Sequence, residues 1–142
     1  MLVNQVKGYG MLILLSMLSF STIVAQKSIA EKLADEQLEA YNNMDLEGFL
    51  LPFSDSVKIY DDLKKYNVSD KRSMRINYER WFSSLESLNC VIKNRISIGN
   101  TIIDYESVTY KRRLDKEKNL EAIAIYKVAN NKIQEVFFIR PE

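Results

Sequence analysis

Histidine is absent from the 142 residues. Without an imidazole there is no Ser-His-Asp or Cys-His nucleophile system, no HExxH zinc site and no histidine acid–base chemistry. Any proton transfer must therefore rest on carboxylates, tyrosine or lysine. Cysteine occurs once, as Cys90, so no intrachain disulfide can form and burial alone must hold the fold together. That thiol opens an apolar strand pattern and reads as a buried, inert side chain. A charge excess is missing too. Of 20 basic residues only Lys7 lies in the first 25, which leaves 19 basic against 19 acidic residues in the rest. No concentrated positive face for nucleic acid or an anionic membrane is expected from such a balance. The runs Lys111-Arg112-Arg113 and Lys116 to Lys118 are interrupted by Asp115 and Glu117 and read as a solvated turn. Carboxylates without imidazole partners suit only hard cations, and no Asp/Asn/Gly calcium loop is present, so neither a metal nor a cofactor is expected.

What is there begins with an export pattern. Lys7 precedes the apolar stretch Met11 to Phe20, followed by Ser21-Thr-Ile-Val-Ala25 and Gln26. A positive start, an apolar centre about ten residues long and a small residue at the cut make a secretory signal over 1–25, cleaved after Ala25. The centre is short for a bilayer span, which needs about 20 residues. The expectation is a secreted or periplasmic protein, free of the membrane after cleavage, with one domain over 26–142.

In that domain Ile29, Leu33, Gln37/Leu38 and Tyr41 recur at three to five residues among acidic and basic side chains, an amphipathic helix ending near Asn42-Asn43. Asp45 caps a short second helix stopped by Pro52. Val57 to Asp61 alternates as a strand. Ser69-Asp70 caps a third helix whose apolar stripe runs through Met74, Tyr78, Trp81, Phe82, Leu85 and Leu88. Beyond Leu88 four strands follow, with turns at Gly99-Asn100, Leu114 to Lys118 and Asn130-Asn131. Helices followed by strands indicate α+β, with the helices packed on one face of a curved sheet.

Ala40-Tyr-Asn-Asn-Met-Asp-Leu-Glu-Gly-Phe49 and Phe53-Ser-Asp-Ser-Val-Lys-Ile-Tyr-Asp61 resemble the opening of the nuclear transport factor 2-like superfamily, particularly its SnoaL-like and ketosteroid-isomerase-like members. Asn94 to Glu106 and Ile123 to Val128 resemble its later strands. The resemblance covers residues 28 to 140. It implies a cone: a curved antiparallel sheet with three N-terminal helices on its concave face, dimerising through the sheet in many relatives, so the expected partners are a small-molecule ligand and a second copy. Such a cone serves isomerases, cyclases, dehydratases and plain binding modules alike. In the isomerase-like members an aspartate after the first strand shuttles the proton, and that position is Asp61. Their two oxyanion donors, a tyrosine on the first helix and a protonated aspartate on the penultimate strand, correspond to Gln37 and Ala124. One lost donor costs on the order of 100- to 1000-fold in rate, so that isomerase mechanism would need Tyr41, Tyr110 or Tyr126 as replacement.

A two-residue turn at Gly99-Asn100 sets Arg95 opposite Asp104 and Lys93 opposite Glu106 on one face, with Val91, Val108 and Tyr110 further along, while Ile96 pairs with Ile103 and Asn94 with Tyr105 on the other. A turn at Asn130-Asn131 sets Ala122 opposite Ile139, Ala124 opposite Phe137 and Tyr126 opposite Glu135, and the intervening pair sets Val108 beside Ala124 and Glu106 beside Tyr126. The concave face is then apolar at one end and polar at the other, as a small-molecule pocket is built. The expected ligand-binding set is Tyr41, Trp81, Arg95, Asp104, Glu106, Val108, Tyr110, Ala124, Tyr126 and Phe137, with Asp61 as the catalytic base if there is one. Inside a partly apolar cone burial raises the pKa of Asp61 or Glu106 unless Arg95 compensates, and a carboxylate so poised can act as a base toward a carbon acid. Three functions follow: a binding protein for a small, partly apolar ligand; a cofactor-independent isomerase, dehydratase or hydrolase; or an association module using the opposite face, through Ile92, Ile96, Ile103, Ile123, Ile125, Val136 and Phe138.

Overall fold

The computed structural model describes residues 26–62 and 65–141, so the expected signal over 1–25 lies outside the described residues. Three helices, α1 (Ile29–Asn42), α2 (Leu46–Leu50) and α3 (Lys71–Ser83), combine with six strands, β1 (Phe53–Asp61), β2 (Lys65–Val68), β3 (Leu85–Ile98), β4 (Thr101–Arg112), β5 (Lys118–Ala129) and β6 (Lys132–Ile139). Each helix starts where a side chain satisfies the first free N–H groups. Ser28 and Glu31 form a reciprocal capping box on α1, Asp45 accepts from the Gly48 N–H on α2, and Asp70 from the Ser73 N–H on α3. The third helix is shorter than its apolar stripe suggests. It stops at Ser83, and Leu85 and Leu88 are the first inward residues of β3.

The sheet is curved, open and mixed, in the order β2-β1-β6-β5-β4-β3. The expected all-antiparallel sheet is corrected at one seam, where β1 runs parallel to β6. A parallel pairing of the earliest long strand with the last cannot be read from any turn. Strand β2 adds an edge beyond β1 that the alternation pattern did not announce. Both expected hairpin turns are present: Gly99 takes φ 56°, and Asn130 and Asn131 take 52° and 56°, the pair of positive values a two-residue turn requires.

Phe49 on α2 is the knot of the helical layer, with ring centroids 4.5 Å from Tyr78, 5.3 Å from Phe53, 5.6 Å from Tyr41 and 5.8 Å from Phe82. These offset and tilted contacts fix α1 against α3. On the other side of α1, the Asn42 amide donates to the Cys90 carbonyl at 3.0 Å and accepts from the Cys90 N–H at 2.6 Å. That side chain stands in for a neighbouring strand along part of the open β3 edge.

Candidate functional site

Two β-bulges decide which side chains enter the concave face. From the Gly99 turn the β3–β4 register runs as expected through Arg95↔Asp104 and Asn94↔Tyr105, but Ile92 then pairs with Glu106. Lys93 is the extra residue. It and Val91 face outward and are exposed, while Ile92 and the buried Cys90 turn inward. In the last hairpin Gln134 is the extra residue, because Lys127 pairs with Glu135 and Val128 with Ile133. The slip places Val136 opposite Tyr126 and Phe138 opposite Ala124 on the inner face, and it sends Glu135, Phe137 and Ile139 outward. A bulge shifts the alternation by one residue, which explains both inversions. Phe137 therefore lies on the outer face, stacked on Tyr60 at 4.5 Å with planes 5° apart. Ile92, Val136 and Phe138 leave the outer set for the inner one. Between β4 and β5 the expected pairing is off by four, an even number, so the faces are kept: Asp104 lies opposite Ala124, Glu106 opposite Ala122 and Val108 opposite Leu120.

A cavity of about 320 Å³ opens between α1, α3 and the inner face of the sheet. Tyr41, Trp81, Glu106, Val108 and Tyr126 from the expected set are on its wall. So are residues that sequence reasoning passed over as site residues: Gln37 and Leu38 on α1, Asn77 and Tyr78 on α3, Ile59, Asn67, Val68, Cys90, Leu120, Ala122, Phe138 and Arg140. Tyr78 and Ala122 carried a signal, the helix stripe and the small residue on an inward strand position. Arg140, beyond the last strand, carried none.

The remaining expected residues gather elsewhere. Arg95 grips Asp104 through Nε at 2.7 Å and Nη2 at 2.8 Å, and donates through Nη1 to Asp35 on α1. Asp104 has no exposed surface, and Arg95 is held protonated well above the ordinary arginine range by that carboxylate. This cluster ties α1 to the sheet beside the cavity and does not line it. Ala124 is fully buried in the core across from Asp104. Tyr110 packs edge-on against Trp81 at 5.1 Å. Asp61 is at the rim, half-buried, and its carboxylate accepts from Arg140 Nη1 at 2.8 Å. Its contact with the cavity is through that arginine.

On the wall the polar groups are few. Gln37 Nε2 donates to the Tyr126 hydroxyl at 3.2 Å and to the Ala34 carbonyl at 3.1 Å. Trp81 Nε1 donates to the Tyr41 hydroxyl at 3.1 Å. In both cases the phenol accepts and keeps its own proton, and burial pushes both tyrosines far above their ordinary pKa, so they are donors at any accessible pH. Glu106 is 7% exposed and accepts from the Cys90 thiol at 3.8 Å. Burial first, and the neighbouring Asp104 second, raise its carboxyl to about 7. Among the described residues no lysine or arginine nitrogen comes within 4 Å of it. Burial and Glu106 together push the Cys90 thiol up, which keeps it protonated. No group of three or more cysteine, aspartate and glutamate side chains converges as a metal would need among the described residues.

No protein-family model matches the sequence, and no curated protein matches it significantly. Solved structures do. A SnoaL-like protein from Shewanella denitrificans, named for polyketide cyclases, superposes with a TM-score of 0.71 at 13% identity over 81% of this chain and 92% of its own. A nuclear transport factor 2-like protein of unknown function from Burkholderia pseudomallei gives 0.69 at 14% identity over 81% and 92%. An LEH-like epoxide hydrolase of Mycobacterium tuberculosis gives 0.70 at 11% identity over 80% and 83%. The fold is nuclear transport factor 2-like. At these identities the likeness carries the fold and says nothing of the chemistry. Within the nuclear transport factor 2-like cone, the three helices and the long curved sheet stand as the resemblance implied, with the parallel β1–β6 seam as the amendment. No helix among the described residues is long and apolar enough to cross a membrane.

Proposed function

We propose that this protein binds a small, partly apolar molecule in the cavity between α1, α3 and the inner sheet face, after export and removal of residues 1–25. The observation that supports the reading is the wall itself: aromatic and aliphatic side chains around one buried carboxyl, with two tyrosine hydroxyls free to donate. Pockets for small molecules pair an apolar body with a few convergent polar groups, and about 300 Å³ is enough for a compact ligand. Substituting Ala122→Trp fills the space beside Glu106. The expected outcome is loss of the thermal stabilisation given by an apolar probe such as 1-naphthylmethanol, with the fold retained by circular dichroism. Equal stabilisation of wild type and variant would sink the reading.

An enzyme is the second reading, and Glu106 is what favours it. A carboxyl near neutrality in an apolar cavity, beside the Tyr126 hydroxyl, is suited to take a proton from a carbon acid and return it. In this version Glu106 replaces Asp61 as the base of a cofactor-independent isomerase, dehydratase or hydrolase, because Asp61 is engaged by Arg140 at the rim.

Homodimerisation completes the proposal. The outer face presents Ile96, Tyr105 and Ile123 at 51%, 40% and 37% exposure, next to Ile103 and Ile125. Contiguous apolar surface of this kind is costly to leave in water. Sedimentation at increasing concentration tests it, and a strictly monomeric protein at high concentration would remove it.

A further inference from the structure

The fold buries two carboxyls on one face of β4, two residues apart, and supplies a cation to one of them. Asp104 receives Arg95 in a two-point grip, whereas Glu106, on the cavity wall, receives a thiol hydrogen bond. The groups facing Glu106 are Cys90 from β3, Asp104 from its own strand, Tyr126 from β5, Tyr41 from α1, Tyr78 from α3 and Arg140 after β6. Arg140 is the one cation among them, and it is spent on Asp61 at 2.8 Å and on the face of Phe138 at 5.6 Å. The cavity thus presents an unneutralised carboxyl and aromatic walls, the two features that attract an organic cation.

Resting on the ligand-binding reading above, we propose that the occupant of this cavity is an arylalkyl or similarly apolar amine, its ammonium on the Glu106 carboxylate and its apolar body against Trp81, Tyr78 and Phe138. An ammonium gives Glu106 what Arg95 gives Asp104: a charge partner at hydrogen-bond distance inside low dielectric. A neutral alcohol gains one ordinary hydrogen bond there, and a carboxylate is repelled. Because Glu106 titrates near neutrality when the cavity is empty, seating an ammonium expels its proton. Amine affinity then rises roughly tenfold per pH unit below about pH 7 and levels off above it.

The test uses three probes of one shape, 1-naphthylmethylamine, 1-naphthylmethanol and 1-naphthoate, titrated calorimetrically into the purified protein between about pH 5.5 and pH 8. At pH 8 the amine is expected to bind at least tenfold more tightly than the alcohol, with naphthoate weakest, and the amine alone to follow the pH profile. Glu106→Gln should erase both the amine preference and the profile, bringing the amine to within about twofold of the alcohol in the same variant, and measurable alcohol binding there certifies the variant's cavity. The proposal is overturned if the alcohol or naphthoate matches the amine at pH 8, if the amine affinity is flat with pH, or if the preference survives Glu106→Gln. In those cases a bound alcohol leaves the ligand-binding reading standing. Failure of all three probes to bind removes both.

Discussion

Asp104 and Glu106 have the same orientation, the same strand and nearly the same burial, yet they belong to different regions of the molecule. Around Asp104 the structure is closed. Arg95 lies across from it on β3, Asp35 reaches down from α1 to the same guanidinium, and Lys27 extends the chain of charges to the surface at 2.6 Å from Asp35. Around Glu106 the structure is open, with Ala122 across the strand leaving volume and Cys90 too weak a donor to compensate a charge. Burial by itself therefore does not make a reactive acid. The partner decides: the paired carboxyl fastens the helix to the sheet, and the unpaired one is left available to something from outside.

The comparison breaks most sharply at Arg95. Arg95→Ala leaves Asp104 with no exposed surface and no counter-charge, and removing one member of a buried pair costs about 3–5 kcal/mol. Urea unfolding at pH 7 should show that loss. A cost under about 1 kcal/mol would mean that the cluster does not hold α1 to the sheet.

Glu106→Gln should act with the opposite sign. A carboxyl whose folded pKa is raised from 4.5 to about 7 keeps its proton in the fold where the unfolded chain has lost it. Its contribution is intact below about pH 4.5 and is lost as pH rises through 7, where holding the ionised form buried costs up to roughly 3 kcal/mol. The variant should match wild type near pH 4.5 and exceed it increasingly toward pH 8, read as the difference in urea midpoints across that range. A wild-type advantage at pH 8 would show that Glu106 has a compensating partner.

Asp61→Asn is the smallest change. Its pair with Arg140 is at the rim and partly solvated, so stability should move by less than about 1 kcal/mol. Turnover or ligand affinity that vanished in this variant while surviving Glu106→Gln would restore Asp61 to the role that the family resemblance gave it.

Much of this architecture is legible in local chemistry. Asp70 and Asp45 announce helix starts because their carboxylates satisfy N–H groups within the next turn, and Gly99 and Asn130-Asn131 announce hairpins because they accept positive φ. Counting outward from the Gly99 turn reaches Arg95 and Asp104 correctly, since no irregularity intervenes. Counting further fails at Lys93, and in the last hairpin it fails at Gln134, after only two correctly paired positions.

What the chain by itself determined is the class of elements, their order, the export pattern as an expectation and the inward direction of the β4 acids, because each rests on periodicity or on contacts within a few residues. What only the tertiary structure decided is the parallel seam of β1 with β6, the two bulges that exchange Val91 for Cys90 and Phe137 for Phe138 on the inner face, and the allotment of Arg95 to Asp104. These depend on how distant strands twist and pack against one another, and a bulge is placed where the curvature of the whole sheet requires it.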